Sequence, residues 1–361
     1  MSRARDFADL AGSADAGGLT GRNLIINGAM NVAQRGTSST GQTTGGYKTV
    51  DRFRTDQNGM TGSYTQATDV PSGYGFSNSY KIEVTTAAGS DAGTLRLDTR
   101  IEAQDLRNSG WDYTSSSSFV TFSCWVKSSL AGTYYFGFRT DDGTSRQYTE
   151  AFTLVADTWK KLEINIPGDS SVTFNDDNGM GALIALHIDE RTAQSDSGHT
   201  LDGWQNYSAS SRTPDFSQNW SETLNATFHT TGWQLEVGEQ ATPFEHRSYA
   251  DELFACSRYY TNLAQFNADN FGSFHNATEA KVALKYPRVM RAAPSVTTNS
   301  PFTNLVEESG VAVETPATVS VNYTRQSGCV VAMTGLTGTS GNGIFIRQAT
   351  NDTTIEADAE L

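Results

Sequence analysis

Apolar and polar residues alternate with a period of two along most of the chain between Asn23 and Phe244. Phe119 to Lys127 sets Val120, Phe122, Cys124 and Val126 on one side and Thr121, Ser123, Trp125 and Lys127 on the other. Leu162, Ile164 and Ile166 share a side between Lys161 and Pro167, as do Ile184, Leu186 and Ile188 within Ala182 to Ile188. From Thr231 to Gly238 the pattern turns Thr231, Trp233, Leu235 and Val237 inward and Gln234 and Glu236 outward. Further strands are predicted at Tyr80–Thr85, Leu95–Glu102 and Thr133–Arg139, separated by Gly, Asp, Asn and Ser clusters that supply turns. Successive side chains of a strand point to opposite faces, so each segment has one side for a core and one for water. With the apolar run after Asn23 this makes about eight strands without helices between them, and predicts two packed antiparallel sheets. A jelly roll is the preferred arrangement.

Outside that block the period changes. Phe7, Leu10 and Ala11 fall at helical spacing, which predicts a short N-terminal anchor helix within Arg3 to Ala11, followed by a small, flexible Gly/Ala/Ser stretch. With Arg3, Phe7 and Leu10 on its contact face, this leader reads as a docking peg or as a disordered tail. Ser248, three residues before Asp251, makes a capping-box pattern, and Tyr249, Leu253, Cys256 and Tyr260 form one helical stripe. A linking helix over 248–262 is therefore expected, with Cys256 as a buried thiol. Alternation returns at Ala280–Tyr286, then in short strands around Val311–Val313, Thr318–Tyr323, Cys329–Met333, Ile344–Arg347 and Ile355–Ala359. The organisation expected is a leader at 1–22, a sandwich at 23–247, the helix at 248–262 and a small β unit at 263–361. Strands this short remove little apolar area from water, so the last unit is expected to need neighbouring copies.

Composition narrows the function. The 361 residues carry 26 Lys and Arg against 40 Asp and Glu, a net charge of −14. Nucleic acid is excluded as a partner because phosphate binding needs a basic face, and anionic lipid is excluded likewise. No apolar run approaches the roughly 20 residues that cross a bilayer, and Met1-Ser-Arg-Ala-Arg-Asp lacks the core of a secretory signal. Cys124, Cys256 and Cys329 have neither metal-ligand nor redox-pair spacing. An acidic protein made without export, and not inserted in a membrane, is expected.

Catalytic motifs are missing from the sequence. There is no His-Glu-x-x-His, no Gly-x-Ser-x-Gly elbow and no phosphate loop, so no enzyme is expected. Asp141, Asp142, Glu150 and Glu163 are carboxylates whose spacing across a sandwich is not readable from sequence. The acidic turns Asp141-Asp142-Gly143 and Asn175–Gly179 read as Ca²⁺ loops or, more simply, as solvated hairpin tips. Aromatic residues carry more. Trp204, Tyr207, Phe216 and Trp220 lie in a polar stretch from Ser195 to Glu222, and Trp111 and Tyr113 in a similar setting. Rings amid amides suit the C–H faces and hydroxyls of sugars; the alternative is that the loops fold back and bury them. Trp111, Tyr113, Trp204, Tyr207 and Trp220 are accordingly the candidate glycan contacts.

The blocks Asn23-Leu-Ile-Ile-Asn-Gly-Ala-Met-Asn-Val-Ala-Gln-Arg-Gly36, Tyr47-Lys-Thr-Val-Asp-Arg-Phe53, Phe122-Ser-Cys-Trp-Val-Lys-Ser128, Trp233-Gln-Leu-Glu-Val-Gly-Glu-Gln-Ala-Thr-Pro-Phe-Glu245 and Cys256-Ser-Arg-Tyr-Tyr260 occur in this order. Together they resemble a group of bacteriophage tail-fibre and receptor-binding proteins. The leader and the ending Asp358-Ala-Glu-Leu361 are similar to the termini of marine phage fibres. The resemblance implies a carbohydrate-binding-module-like jelly roll displayed as a homotrimer on the virion tail. It implies docking to tail proteins (an adaptor, nozzle or baseplate) through the N-terminus and binding of host cell-surface polysaccharide. The runner-up readings are a depolymerase tailspike and a head-attached decoration fibre. The first block and the Gln-Leu-Glu block are expected to be adjacent edges. In related sugar-binding jelly rolls such positions hold a structural Ca²⁺, which points to Asn27 and Glu236, although Trp233-Gln234 stand where the pattern has Asp.

Overall fold

The computed structural model describes residues 21–263, 271–298, 304–308, 315–348 and 355–361. The leader, with Arg3, Phe7 and Leu10, and the strand expected at Val311–Val313 lie outside the described residues. The chain divides into two units, one ending at Glu252 and one formed by Leu253–Leu361.

The first unit is an all-β antiparallel sandwich. Its strands are β1 (Ser38–Gln42), β2 (Gly46–Tyr47), β3 (Arg54–Asn58), β4 (Thr61–Ala67), β5 (Ser79–Thr86), β6 (Thr94–Glu102), β7 (Phe119–Ser128), β8 (Gly132–Thr140), β9 (Arg146–Leu154), β10 (Lys160–Pro167), β11 (Met180–Asp189), β12 (Trp204–Asn206) and β13 (Thr227–Val237). Sheet I runs β1-β4-β5-β13-β7-β10 and sheet II runs β12-β9-β8-β11-β6-β3-β2. The inner faces interdigitate: Phe122 of β7 stacks on Phe136 of β8 at 4.8 Å, and Trp233 stands edge-on to Phe122 and Phe53. The alternation expected for Phe119–Lys127 holds, because Val120, Phe122, Cys124 and Val126 are all buried in this core.

Three local readings need correction. A one-turn helix, α1 (Ala103–Arg107), follows β6 where no helix was expected; good helix formers with Ala103 and Leu106 at i, i+3 bury one side of it. The run after Asn23 is not a strand. Asn27 and Met30 adopt φ of 62° and 59°, which breaks any extended ladder. The expected adjacency survives in two backbone bonds, Leu24 N–H to the Leu235 carbonyl at 2.9 Å and Trp233 N–H to the Gly28 carbonyl at 3.0 Å. The third concerns β13. A bulge between Thr231 and Gln234, centred on Gly232 at φ 69°, flips the phase. Thr231 therefore pairs with Trp125 on the outer face, while Trp233 and Leu235 stay inside.

Helix α2 (Tyr249–Cys256) spans the division between the units. The Ser248 hydroxyl accepts the Asp251 N–H at 3.1 Å and donates to its carboxylate at 2.6 Å, the capping box expected from sequence. The helix stops well before 262, and its first stripe residue, Tyr249, is 58% exposed. Cys256 and Tyr260 of that stripe are buried, and so is Glu252, whose Oε1 accepts the Asn27 N–H at 2.5 Å.

The second unit contains β14 (Tyr260–Asn262), β15 (Phe271–Asn276), β16 (Glu279–Lys285), β17 (Ser295–Thr298), β18 (Asn304–Glu308), β19 (Thr318–Arg325), β20 (Gly328–Thr334), β21 (Gly343–Gln348) and β22 (Ile355–Asp358). These make two small sheets, β14-β22-β17 and β18-β21-β15-β16-β20-β19. Phe274, Val282, Leu284, Met290, Val331, Met333 and Ile355 form their own core.

Candidate functional site

Two of the five aromatic residues singled out in the sequence are core residues. Trp220 is fully buried, its indole N–H donating to Ser128 Oγ at 3.2 Å. Trp111 is buried against Phe138 and Phe174 and donates to the Ser118 carbonyl at 3.2 Å. A ring without an open face has nothing to offer a sugar, so both are corrected from ligand contacts to packing residues. Tyr113 is half-buried and stands edge-on to Phe174 at 4.9 Å. Trp204 closes the open edge of the core: it packs on Phe138 and Tyr148 and donates to the Pro167 carbonyl at 2.7 Å. Tyr207 lies beneath the Arg139 guanidinium, 4.6 Å from its ring centre. These five side chains do not make one platform.

Nor do Asn27 and Glu236 fit a cation. The Asn27 amide bonds the Val32 and Asp51 carbonyls, and its oxygen accepts the Val32 N–H at 2.9 Å. Glu236 accepts from Thr242 and Gln234 and faces the Arg22 guanidinium at 3.5 Å. A carboxylate compensated by arginine and an amide oxygen already in use leave too few of the oxygen donors Ca²⁺ takes. Among the described residues no group of three or more His, Cys, Asp or Glu gathers that could hold a metal.

The outer face of sheet II carries a partly buried charged layer around Asp98. Asp98, fully buried, faces Arg54, Arg96 and Arg100 at 3.3–3.5 Å. Asp56 faces Arg96 and Arg212, and Glu190 faces Arg212 and His187. Burial alone would raise the Asp56 carboxyl, but Arg96, Arg212 and Arg54 outweigh it and hold it below its ordinary range. The chain from Glu190 to Thr213 supplies Glu190 and Arg212 to this layer. What opens between Arg96, Arg139, His187, Tyr207 and Arg212 is a cleft of about 10 Å³, room for roughly one water.

Sheet I presents the opposite arrangement. Strand register sets Lys81 (β5), His229 (β13) and Lys127 (β7) side by side in one row. The next row holds Thr231, Trp125 and Lys161. Tyr74, from the loop between β4 and β5, sits on Trp125 with ring centres 4.3 Å apart and is itself 52% exposed. Phe76 in the same loop rests on Gly232, whose missing side chain makes the room: a Cβ there would lie 2.5 Å from the Phe76 ring. Trp159, just before β10, lies under Lys127 Nζ at 5.2 Å and donates its indole N–H to Asp69 at 3.2 Å. Lys127 also pairs with Asp69. Burial, then Lys127, pushes the His229 imidazole down to about 4 against the pull of Asp69, so it is neutral at physiological pH. The half-exposed Tyr74 ring, with the partly buried Trp125 and Trp159 beside hydroxyl, carboxylate and ammonium groups, forms a shallow amphipathic shelf.

The alternation pattern had already put Trp125 on the polar side of β7. An indole among Thr121, Ser123 and Lys127 has no place in the core, and that is the signal that would have found this face. Tyr74 and Trp159 carry no comparable mark, because both come from turns whose course depends on the strands they join.

No protein-family model matches the sequence, and no curated protein does. Among solved structures the chain is similar to one described as "CBM4 structure and function", at 9% identity and a TM-score of 0.25 over 47% of this chain and 74% of that one. It is similar to TmCBM61 in complex with β-1,4-galactotriose at 8% identity and a TM-score of 0.29, over 61% and 99%. The N-terminal cellulose-binding domain of a Cellulomonas fimi β-1,4-glucanase gives 9% and 0.27, over 58% and 99%. At these values each is a distant likeness, and none fixes a ligand or a contact residue for this chain.

Proposed function

We propose that this chain is a non-catalytic glycan-binding protein whose contact surface is the outer face of sheet I. The observation that carries this reading is the Tyr74–Trp125–Trp159 group. Three large rings sit on a sheet face outside the core, one of them half open to solvent, with polar partners already oriented around them. Aromatic faces bury pyranose C–H groups, and the surrounding polar groups meet the hydroxyls. The phage resemblance extends the proposal: a fibre held to a virion by residues 1–20, displayed as a homotrimer, and binding host polysaccharide with affinity multiplied by effective concentration. Glycan-array binding of the wild type and of Tyr74→Ala and Trp159→Ala tests the first part, with loss of signal in both folded variants expected. Light scattering on the eluting full-length protein tests the second, with a mass of three chains expected.

A depolymerase is the second reading, and one side chain favours it. Burial and the neighbouring Asp202 push the Glu150 carboxyl up to about 7, the range of a general acid. Release of reducing ends from a bound polysaccharide, abolished by Glu150→Gln, would establish that reading over the first.

A further inference from the structure

We infer that the shelf on sheet I takes an uncharged glycan, gripping neighbouring hydroxyls rather than a carboxylate, sulfate or phosphate group. The inference rests on the glycan-binding reading above and names its substrate class. Three lysines and a histidine on one face of an acidic protein look at first like an anion site. Each cation is already answered. Lys81 Nζ bonds Glu83 at 2.6 Å, Lys161 Nζ bonds Glu163 at 2.6 Å, and Lys127 pairs with Asp69. Arg22, from the N-terminal segment, faces Glu236 farther along β13. Those four cations meet four carboxylates, and the buried imidazole beside them is held neutral. The face therefore adds no positive potential to a chain of net charge −14, and an anionic sugar would approach against the field.

Local geometry gives the same answer. An anionic group could reach a lysine here only by displacing its carboxylate, which would stay within a few ångströms as a like charge. A polyol has no such conflict. An ammonium donates and the adjacent carboxylate accepts, so each pair offers both halves of what two adjacent hydroxyls require. The rings of Tyr74 and Trp159 supply the apolar contact on the same face.

Affinity electrophoresis of the full-length protein distinguishes the outcomes, using neutral galactan, xylan and dextran beside polygalacturonate, alginate and hyaluronate. At least one neutral polymer is expected to retard the protein, with Trp125→Ala weakening it tenfold or more. The affinity should change less than twofold between 50 and 500 mM salt. A Glu83→Gln, Glu163→Gln double variant frees Lys81 and Lys161. It should gain retardation by polygalacturonate, while neutral binding weakens because two charged hydroxyl acceptors have become neutral amides. Wild-type retardation by acidic polymers alone, lost in Trp125→Ala, would overturn the inference and leave the glycan-binding reading intact. Retardation by no polymer, or retardation indifferent to Trp125→Ala in a folded variant, would overturn both.

Discussion

The two outer faces of the sandwich come from strands of the same kind, yet they solve opposite problems. On sheet II, guanidinium and carboxylate groups are stacked into a layer that the Glu190–Thr213 segment helps to close. On sheet I, aromatic rings and self-paired charges remain at the surface. Charges removed from water must each find partners, so the sheet II layer is fixed by mutual need and one missing member leaves the others stranded. Exposed pairs contribute little to stability, so the groups on sheet I are free to be chosen for what they touch. One face is centred on a fully buried carboxylate that its neighbours share, and the other on rings and charge pairs that reach the surface.

That contrast can be broken experimentally, and the largest effect is expected at Asp98. Replacing it with Ala removes the buried carboxylate that Arg54, Arg96 and Arg100 share and should cost about 3–5 kcal/mol in urea denaturation. A loss below about 1 kcal/mol would mean the layer is hydrated and the comparison mistaken.

Next comes acid sensitivity on the sheet I side. His229 is held at about 4 in the fold, whereas an unfolded histidine titrates near 6.5. The unfolded chain thus binds the extra proton first as pH falls. The contribution is whole above 6.5 and lost between 6.5 and 4, on the order of 3 kcal/mol. His229→Gln should flatten that limb in a pH series of denaturation midpoints. Glu150, raised to about 7, works the other way: its contribution is whole below the ordinary carboxylate range and lost as pH rises through 7.

A backbone change sharpens the picture at the bulge. Gly232→Ala puts a side chain at φ 69° and against Phe76, and should cost about 1–3 kcal/mol while shifting the Tyr74 loop. Glycan affinity should fall with it, measured by titration calorimetry. The smallest stability effect is expected where binding matters most. Tyr74→Ala should stay within about 1 kcal/mol of wild type in denaturation, since its ring is half exposed. Its glycan affinity should nevertheless drop about tenfold, equivalent to roughly 1.4 kcal/mol.

Reading residues in order recovered much of the scaffold and little of the site. Phe119–Lys127 and Ala182–Ile188 are legible as strands because period two is written directly into them. The capping box at Ser248 is equally local, needing only three residues. Trp220 and Trp111 misled because their neighbours are polar: a loop sequence says nothing about whether the loop folds back on the core. Thr231 misled for a different reason, since a bulge shifts the face of what precedes it without changing the alternation around it.

The sequence by itself determined that the chain would build an all-β sandwich with an acidic, weakly charged surface. Alternation and turn residues act over a few positions, and charge is a simple sum. The tertiary structure alone decided which rings face water, that Lys81, His229 and Lys127 share a row, and that each lysine there meets a carboxylate. Those facts depend on the register between strands distant in sequence, and register is set by the packing of the whole sandwich.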